Sequence, residues 1–420
     1  MAGALENFVS ALEKAGDNVT ELTKVLERNS DFIAKNIASL SLLLDRFELK
    51  RWTCVHAAIM RAKIIAAQSI DSLILMQTRN LFENCNPEHL RAVKPLVREL
   101  CEHLTSKLIA QSMPMSGIPI ILMAIRKVQD SPAHLTSLHV NLCQLGLSAK
   151  CFNPLLPILN TDVLDADADK QSFDSKDGLL YFYYGGMVYA TLKKWDRSLH
   201  FFSIALMLPS PSCYPIILEA AKKYIIVSLI HNGHLNTSNN SVFRRLKFAL
   251  DVYKKLADAF AEPDPTVLAR VVEENMATFV LDKNYGLVKQ LFDYHIKSRI
   301  QNLTKTFMSL SLKDLAARVH LSGPKEAERH LLEMIASKSI FVKIDQRNGT
   351  IRFLDNPEQY DSPEMLKLLS DKMNAAMNLQ KNLLQISDHS VVEDATEIKK
   401  QPRNVSNLHA PASKRKTPSE

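Results

Sequence analysis

The 420-residue sequence predicts a mostly α-helical protein: a solenoid of helical repeats, then a winged-helix subdomain, then a C-terminal helix. Three observations predict it. Apolar residues recur at three- and four-residue spacing over most of the chain, two central stretches align with each other, and residues 310–357 read as two short helices followed by a hairpin. Hydrophobic residues make up 46% of the chain and glycine only 11 positions, which favours helices over turn-rich sheets. Outside the hairpin no alternating strand is expected.

Residues 1–130 read as consecutive amphipathic helices, with apolar stripes at Leu5, Phe8, Val9 and Leu12, then at Leu22, Val25, Leu26, Phe32, Ile33 and Ile37, then at Leu40, Leu43, Leu44 and Phe47. Each stripe is too narrow to hold a helix by itself, so each needs a neighbour. Residues 131–300 read as tetratricopeptide-like helical hairpins. The stretch from His139 aligns with the stretch from Phe182 at an offset of 43 residues, setting Cys143 against Gly186, Phe152 against Trp195 and Leu159 against Phe202. In the second copy Gly186, Tyr189, Ser198, Phe202 and Ala205, followed by Pro209 and Pro211, roughly match the repeat's spacing of small residues, aromatics and proline. Small residues such as Gly185 and Gly186 let two helices approach, and the aromatics fill the space beside them. A third, partial copy covers 222–235. Further helices are expected over Phe243–Phe260, Thr266–Leu281 and Leu287–Met308.

Residues 301–357 form the winged helix. Ser311 is placed to cap a helix over Leu312–Val319, with Asp314 as a weak capping-box partner. Ser322, Gly323 and Pro324 open a second helix whose Ala327, Leu331, Met334 and Ile335 share a buried face. Ile340, Val342 and Ile344 then alternate with polar residues up to Asn348-Gly349, a two-residue hairpin turn that sets Arg347 opposite Thr350 and Ile344 opposite Phe353. Residues 358–386 contain a linker and a helix with an apolar seam at Leu366, Leu369, Met373, Ala376 and Leu383; such a seam wants a partner. Residues 387–420 are expected to be a disordered basic tail.

Composition and motifs exclude several function classes. The net charge is +7, of which residues 395–420 hold +4, so the rest of the chain is nearly balanced. The six cysteines have no C-x-x-C spacing, which suits reduced thiols in the cytoplasm or nucleus. The start of the chain lacks the basic and apolar regions of a signal peptide, and no apolar run is long enough for a membrane span. Phosphate-binding glycine loops, nucleophile elbows and metal-binding His pairs are missing, so no catalytic residue, cofactor or metal is expected. Asp165, Asp167 and Asp169 imitate the start of a calcium loop, but Lys170 and Lys176 stand where Gly and Glu are needed, and a solvated loop is the better reading. His231 and His234 read as turn histidines. On the second helix of the winged helix Lys325, Arg329 and Lys338 are offset by Glu326, Glu328 and Glu333, so a DNA-reading role is disfavoured and remains an alternative only.

Helical repeats leading directly into a winged helix resemble the PCI module of the proteasome lid, the COP-nine signalosome and the translation initiation factor three complex. The residues Tyr183 to Met187, the stretches LEAAKKYIIVSLIHNG from Leu218 and DKNYGLVKQ from Asp282, and the whole winged helix with FLDNPEQY are similar to the family of third subunits of the COP-nine signalosome. The resemblance runs to about Asn382 and is strongest over 280–361. It implies a non-catalytic scaffold in a complex that removes the ubiquitin-like modifier Nedd8 from cullin-RING ligases, in cytoplasm and nucleus. The implied partners are other signalosome subunits, of PCI and metalloprotease type, and indirectly the ligases; neither membrane nor nucleic acid is among them. A proteasome-lid-type PCI subunit is the nearest alternative. In this family winged helices join side by side and C-terminal helices bundle. The expected interface residues are therefore Lys343, Ile344, Arg352 and Phe353 on the ribbon and Leu366, Leu369, Met373 and Leu383 on the helix.

Overall fold

Helices packed in sequence order make up most of the computed structural model, which describes residues 8–400 except 9, 15–17, 38, 41–47, 164, 167–172, 209–213, 236–240 and 356–360. Leu5, Val9, Leu43, Leu44 and Phe47 of the first expected stripes, Pro209 and Pro211 of the repeat, and Asp167 and Asp169 of the acidic loop lie outside those residues.

Helices α1 (Val19–Arg28) and α2 (Ser30–Lys35) bury Leu22, Leu26 and Ile33 beside α3 (Thr53–Ala66). Then follow α4 (Ser72–Asn84), α5 (Pro87–Ala92), α6 (Lys94–Ala110) and α7 (Gly117–Val128). Asn86 starts α5 by accepting the Glu88 amide at 3.1 Å, with Pro87 in the first turn where no amide is needed. The C-terminal end of α3 is closed from α6, where the Lys107 ammonium donates to the carbonyls of Ile64, Ile65 and Ala67. A cation there meets both the free carbonyls and the negative end of the helix dipole.

A two-residue parallel bridge, β1 (His134–Leu135) with β2 (Asp165–Ala166), was not expected from the sequence; it brackets α8 (Leu138–Ala149) and the single turn α9 (Leu156–Leu159). The repeat is clearest in α10 (Ser175–Thr191) and α11 (Trp195–Met207). A Cβ added to Gly185 would lie 2.6 Å from the Phe201 ring, and one added to Gly186 would lie 2.8 Å from the Phe202 ring. The Ser198 hydroxyl donates to the Gly186 carbonyl at 2.9 Å, fastening the two helices at the same level. In the first copy a Cβ added to Gly146 would likewise meet Leu155, but the second helix there is a single turn.

Helix α12 (Tyr214–Asn232) carries the third copy. The single helix expected over Phe243–Phe260 is instead α13 (Ser241–Arg245), a turn through 246–250, and α14 (Asp251–Ala261). Likewise Thr266–Leu281 is divided into α15 (Pro265–Glu274) and α16 (Met276–Leu281) at Asn275, whose side-chain amide donates back to the Val271 carbonyl at 2.9 Å. Helix α17 (Tyr285–Thr304) closes this part, and its Tyr294 accepts the Trp195 indole N–H of α11 at 2.8 Å.

The buried apolar residues form three clusters. The first runs from Phe8 to Phe201, the second from Leu179 to Leu291 and the third from Ile300 to Phe353. No core boundary falls at the expected domain limit of residue 130, because α8 packs onto α6 and α7, and α10 packs onto α8, within the first cluster. The third cluster belongs to the winged helix: β3 (Ser309–Ser311), α18 (Leu312–Val319), α19 (Pro324–Ala336), β4 (Phe341–Asp345) and β5 (Thr350–Leu354). Ser311 caps α18 as expected, accepting the Asp314 amide at 3.0 Å. Before α19 the Glu326 carboxylate reaches back to the Ser322 amide at 3.0 Å.

By contact the chain divides into 1–355 and 356–420. In the second unit α20 runs from Pro363 to Lys400, fourteen residues past its expected end at 386. The expected tail from 387 is thus helical as far as 400, and residues 401–420 lie outside the described residues. No proline or glycine interrupts 364–400, so nothing in the sequence breaks the helix at 386.

Candidate assembly surface

The winged-helix sheet has the order β3-β5-β4, so β5 is central. The Phe353 amide donates to Met308 at 2.9 Å and the Leu312 amide donates to Gly349 at 2.8 Å, which sews β5 to β3. Among the described residues the free long edge is therefore β4, and the ribbon's Arg352 and Phe353 belong to a strand paired on both sides. Strand β3 was not expected because Ser309-Leu310-Ser311, though it alternates, is shorter than the roughly four to eight residues a strand signal needs.

The register also differs from expectation. Lys343 faces Arg352, Ile344 faces Ile351, Val342 faces Phe353 and Asp345 faces Thr350, which leaves 346–349 as a four-residue loop in place of a two-residue turn. The cause is Asp345, whose carboxylate accepts the Arg347 amide at 3.1 Å and the Asn348 side chain at 2.8 Å, closing the turn two residues earlier. Gly349 at φ 63° completes it. A shift of two residues keeps each side chain on its face.

Of the expected interface residues, Lys343 and Arg352 are exposed and directly opposite, and Ile344 is half-buried against the winged-helix core. Phe353 is 8% exposed and lies inside that core, so it supports the fold and is not offered to a partner. Two like charges facing each other across strands destabilise the pair slightly, and a carboxylate from outside would reverse that effect. On α20, Leu366, Leu369, Met373 and Leu383 are all more than half exposed, as are Leu368, Leu379 and Leu384, with Met377 at 50%.

The face of α19 that would enter a DNA groove is neutralised. Arg329 lies 3.8 Å from Glu326, Glu333 pairs with Lys297 at 3.6 Å, and Glu328 accepts from Gln346 at 3.0 Å. His330 on the same helix is buried, with no partner at Nδ1 among the described residues.

Three stretches quoted for their resemblance converge on one buried cluster that the sequence reading did not foresee. Lys222 of α12 donates to Asp282 at 2.7 Å and to Glu219 at 2.8 Å. Tyr253 of α14 donates to the other Asp282 oxygen at 2.8 Å, and Asn284 donates to the Tyr253 hydroxyl at 2.9 Å. Lys223 pairs with Glu219 at 3.3 Å and lies 5.3 Å from the centre of the Tyr183 ring. Burial works against the Lys222 charge, but the bonds to Asp282 and Glu219 outweigh it and hold the pKa above the ordinary lysine range. Burial dominates at Lys223 and lowers its pKa. The cluster ties the repeats to the start of α17, which leads into the winged helix. Its signal in the sequence was a Lys pair inside an otherwise apolar helix.

The buried cysteines are held as thiols by their surroundings. Burial pushes the Cys54 thiol up to about 11 and the Cys143 thiol to about 12, and it raises Cys85 and Cys101 too, so these are core residues and poor nucleophiles. Among the described residues no group of three His, Cys, Asp or Glu is placed to hold a metal ion, and no helix is long and apolar enough to cross a membrane.

Comparison with known proteins agrees with this architecture. Residues 16–242 match the family described as "COP9 signalosome complex subunit 3, N-terminal helical repeats", and residues 272–355 match the PCI domain. The chain is 32% identical over 414 residues to the COP9 signalosome complex subunit 3 of Drosophila melanogaster, covering 92% of this chain and 90% of that protein. It is 35% identical over 310 residues to the Arabidopsis thaliana protein of the same name, covering 73% and 71% respectively. With its helical repeats, its winged helix and these relatives, the chain belongs to the COP9 signalosome subunit 3 family and carries a PCI domain.

Proposed function

We propose that the protein is a non-catalytic scaffold of the COP9 signalosome, holding neighbouring subunits through the β4 edge and through α20. The complex would act by removing Nedd8 from cullin-RING ligases, in cytoplasm and nucleus, with the metal chemistry supplied by a metalloprotease-type subunit. One observation carries this reading: α20 exposes eight large apolar side chains, Leu366, Leu368, Leu369, Met373, Met377, Leu379, Leu383 and Leu384. Full burial of such a side chain is worth about 1.5–3 kcal/mol, so even partial cover of this set by partner helices contributes many kcal/mol. The open edge of β4 supports a second joint, since its unpaired amides and carbonyls can take an added strand. Lys343 and Arg352 would then meet carboxylates on the joining subunit.

The test is native purification of the tagged full chain beside two variants, one ending at Asp355 and one carrying Lys343→Glu with Arg352→Glu. The full chain is expected to bring down other signalosome subunits. Truncation should lose most of them, and charge reversal should lose or weaken the neighbour at the sheet. An intact complex in both variants would refute the proposed joints.

A further inference from the structure

Half of the chain's charge story lies in twelve residues. Positions 244–255 contain Arg244, Arg245, Lys247, Lys254 and Lys255 against Asp251 alone, a net of +4. The chain's +7 is thus made of +4 here, +4 in 395–420 and −1 across everything else. The described fold is balanced only on average, with its positive charge gathered on α13, the following turn and α14.

Burial sorts this segment into two faces. Val242, Phe243, Leu246, Leu250, Tyr253 and Leu256 go into the second core. Backbone bonds Leu246 to Val242, Leu250 to Leu246 and Lys254 to Leu250 keep near-helical spacing through the turn, so the alternate positions look outward together. Those positions are Arg244, Arg245, Lys247, Phe248, Asp251 and Lys255, all exposed. Phe248 is 92% exposed, more than any other large apolar side chain among the described residues. Asp251 is held by Lys255 at 2.8 Å, whereas Arg244, Arg245, Lys247 and Lys254 make no salt bridge among the described residues. An aromatic ring in water, set among unpaired cations, satisfies none of its own fold's needs.

We propose that Arg244, Arg245, Lys247, Phe248 and Lys254 form a docking surface for an acidic protein segment, one with two or more carboxylates flanking a large apolar side chain that packs on Phe248. Arginine offers a planar fork to a carboxylate, and charge-assisted bonds of this kind are roughly twice as strong as neutral ones. Aromatic and arginine side chains are also the groups that dominate protein interfaces energetically. Two other occupants fit less well. A lipid surface needs several apolar anchors beside the cations, and here the helix's apolar face is spent on the core, leaving one ring. Single-stranded nucleic acid needs successive stacking platforms along a continuous basic track, and Asp251 interrupts this one. The patch shares no residue with β4 or α20, so its variants and those that test the assembly joints change different side chains.

The test replaces Phe248 by the photo-crosslinking analogue benzoylphenylalanine in the full chain, purified with its associated subunits and irradiated. The expected product is a peptide adduct with at least two Asp or Glu within about four residues of the crosslinked position, one helical turn either way. Adding Arg244→Glu, Arg245→Glu and Lys247→Glu should cut the adduct about tenfold, equivalent to roughly 1.4 kcal/mol. Arg244→Lys with Arg245→Lys should keep it within about twofold, on the order of 0.4 kcal/mol. Thermal melting of each variant, unchanged because the sites are exposed, shows that the fold is intact. A lipid or nucleotide adduct, a peptide without carboxylates, an adduct indifferent to charge reversal, or no adduct overturns the proposal.

Discussion

Lys222 brings a charge into the protein and keeps it because Asp282 and Glu219 accept hydrogen bonds from its ammonium at 2.7 and 2.8 Å. Removing one member of such a buried set leaves the other charge uncompensated, at a cost of about 3–5 kcal/mol. Lys222→Met is therefore expected to lower the thermal midpoint strongly, and Lys222→Met with Asp282→Asn to recover part of the loss, as a double-mutant cycle would show. His139 sets a pH limit. The Thr136 amide donates to its Nδ1 at 3.1 Å, Tyr181 packs edge-on at 5.9 Å, and burial, reinforced by His134, holds its pKa down at about 4. In the unfolded chain the same imidazole takes its proton near 6.5, so the unfolded state binds more protons between those values. This contribution is complete above pH 6.5 and is lost as the pH falls towards 4, by roughly 3 kcal/mol at most. Unfolding measured across that window should show a steeper loss for the native chain than for His139→Gln.

Within elements, local chemistry was readable and pairing was not. Ser311 and the apolar spacing located α18 to the residue, and Ser322-Gly323-Pro324 located the start of α19, since capping is decided within four positions. Ser311→Ala is expected to cost about 1 kcal/mol, visible as faster hydrogen exchange in the first turn of α18 by roughly fivefold. The hairpin departs from its local signal. Asn348-Gly349 is a valid turn signal, yet the Asp345 carboxylate, which binds three donors in 347–348, closes a longer loop and moves the register by two. Asp345→Ala should loosen β4 and β5 together, raising amide exchange in both strands while α18 stays protected. The helix breaks at Asn275 and through 246–250 were equally hidden, because the apolar spacing runs on through both and neither holds a proline or glycine.

For the whole molecule, all three cores close by Phe353, before the division after Asp355. A chain ending at Asp355 is expected to lose only the circular dichroism that α20 itself contributes and to melt within about 2 °C of the full chain, an effect under roughly 1 kcal/mol. A large drop would mean that the terminal helix is part of the fold and not only of assembly. The sequence by itself determined the helical class, the winged helix and the family, because periodicity, caps and motif stretches are written in neighbouring residues. Only the tertiary structure decided which strand edge is open, that Phe353 faces inward, and that Glu219, Lys222, Tyr253, Asp282 and Asn284 meet. Those outcomes rest on partners as far apart as Lys222 from Asp282 or Trp195 from Tyr294, and no local pattern encodes which distant group will satisfy a buried charge or occupy a free edge.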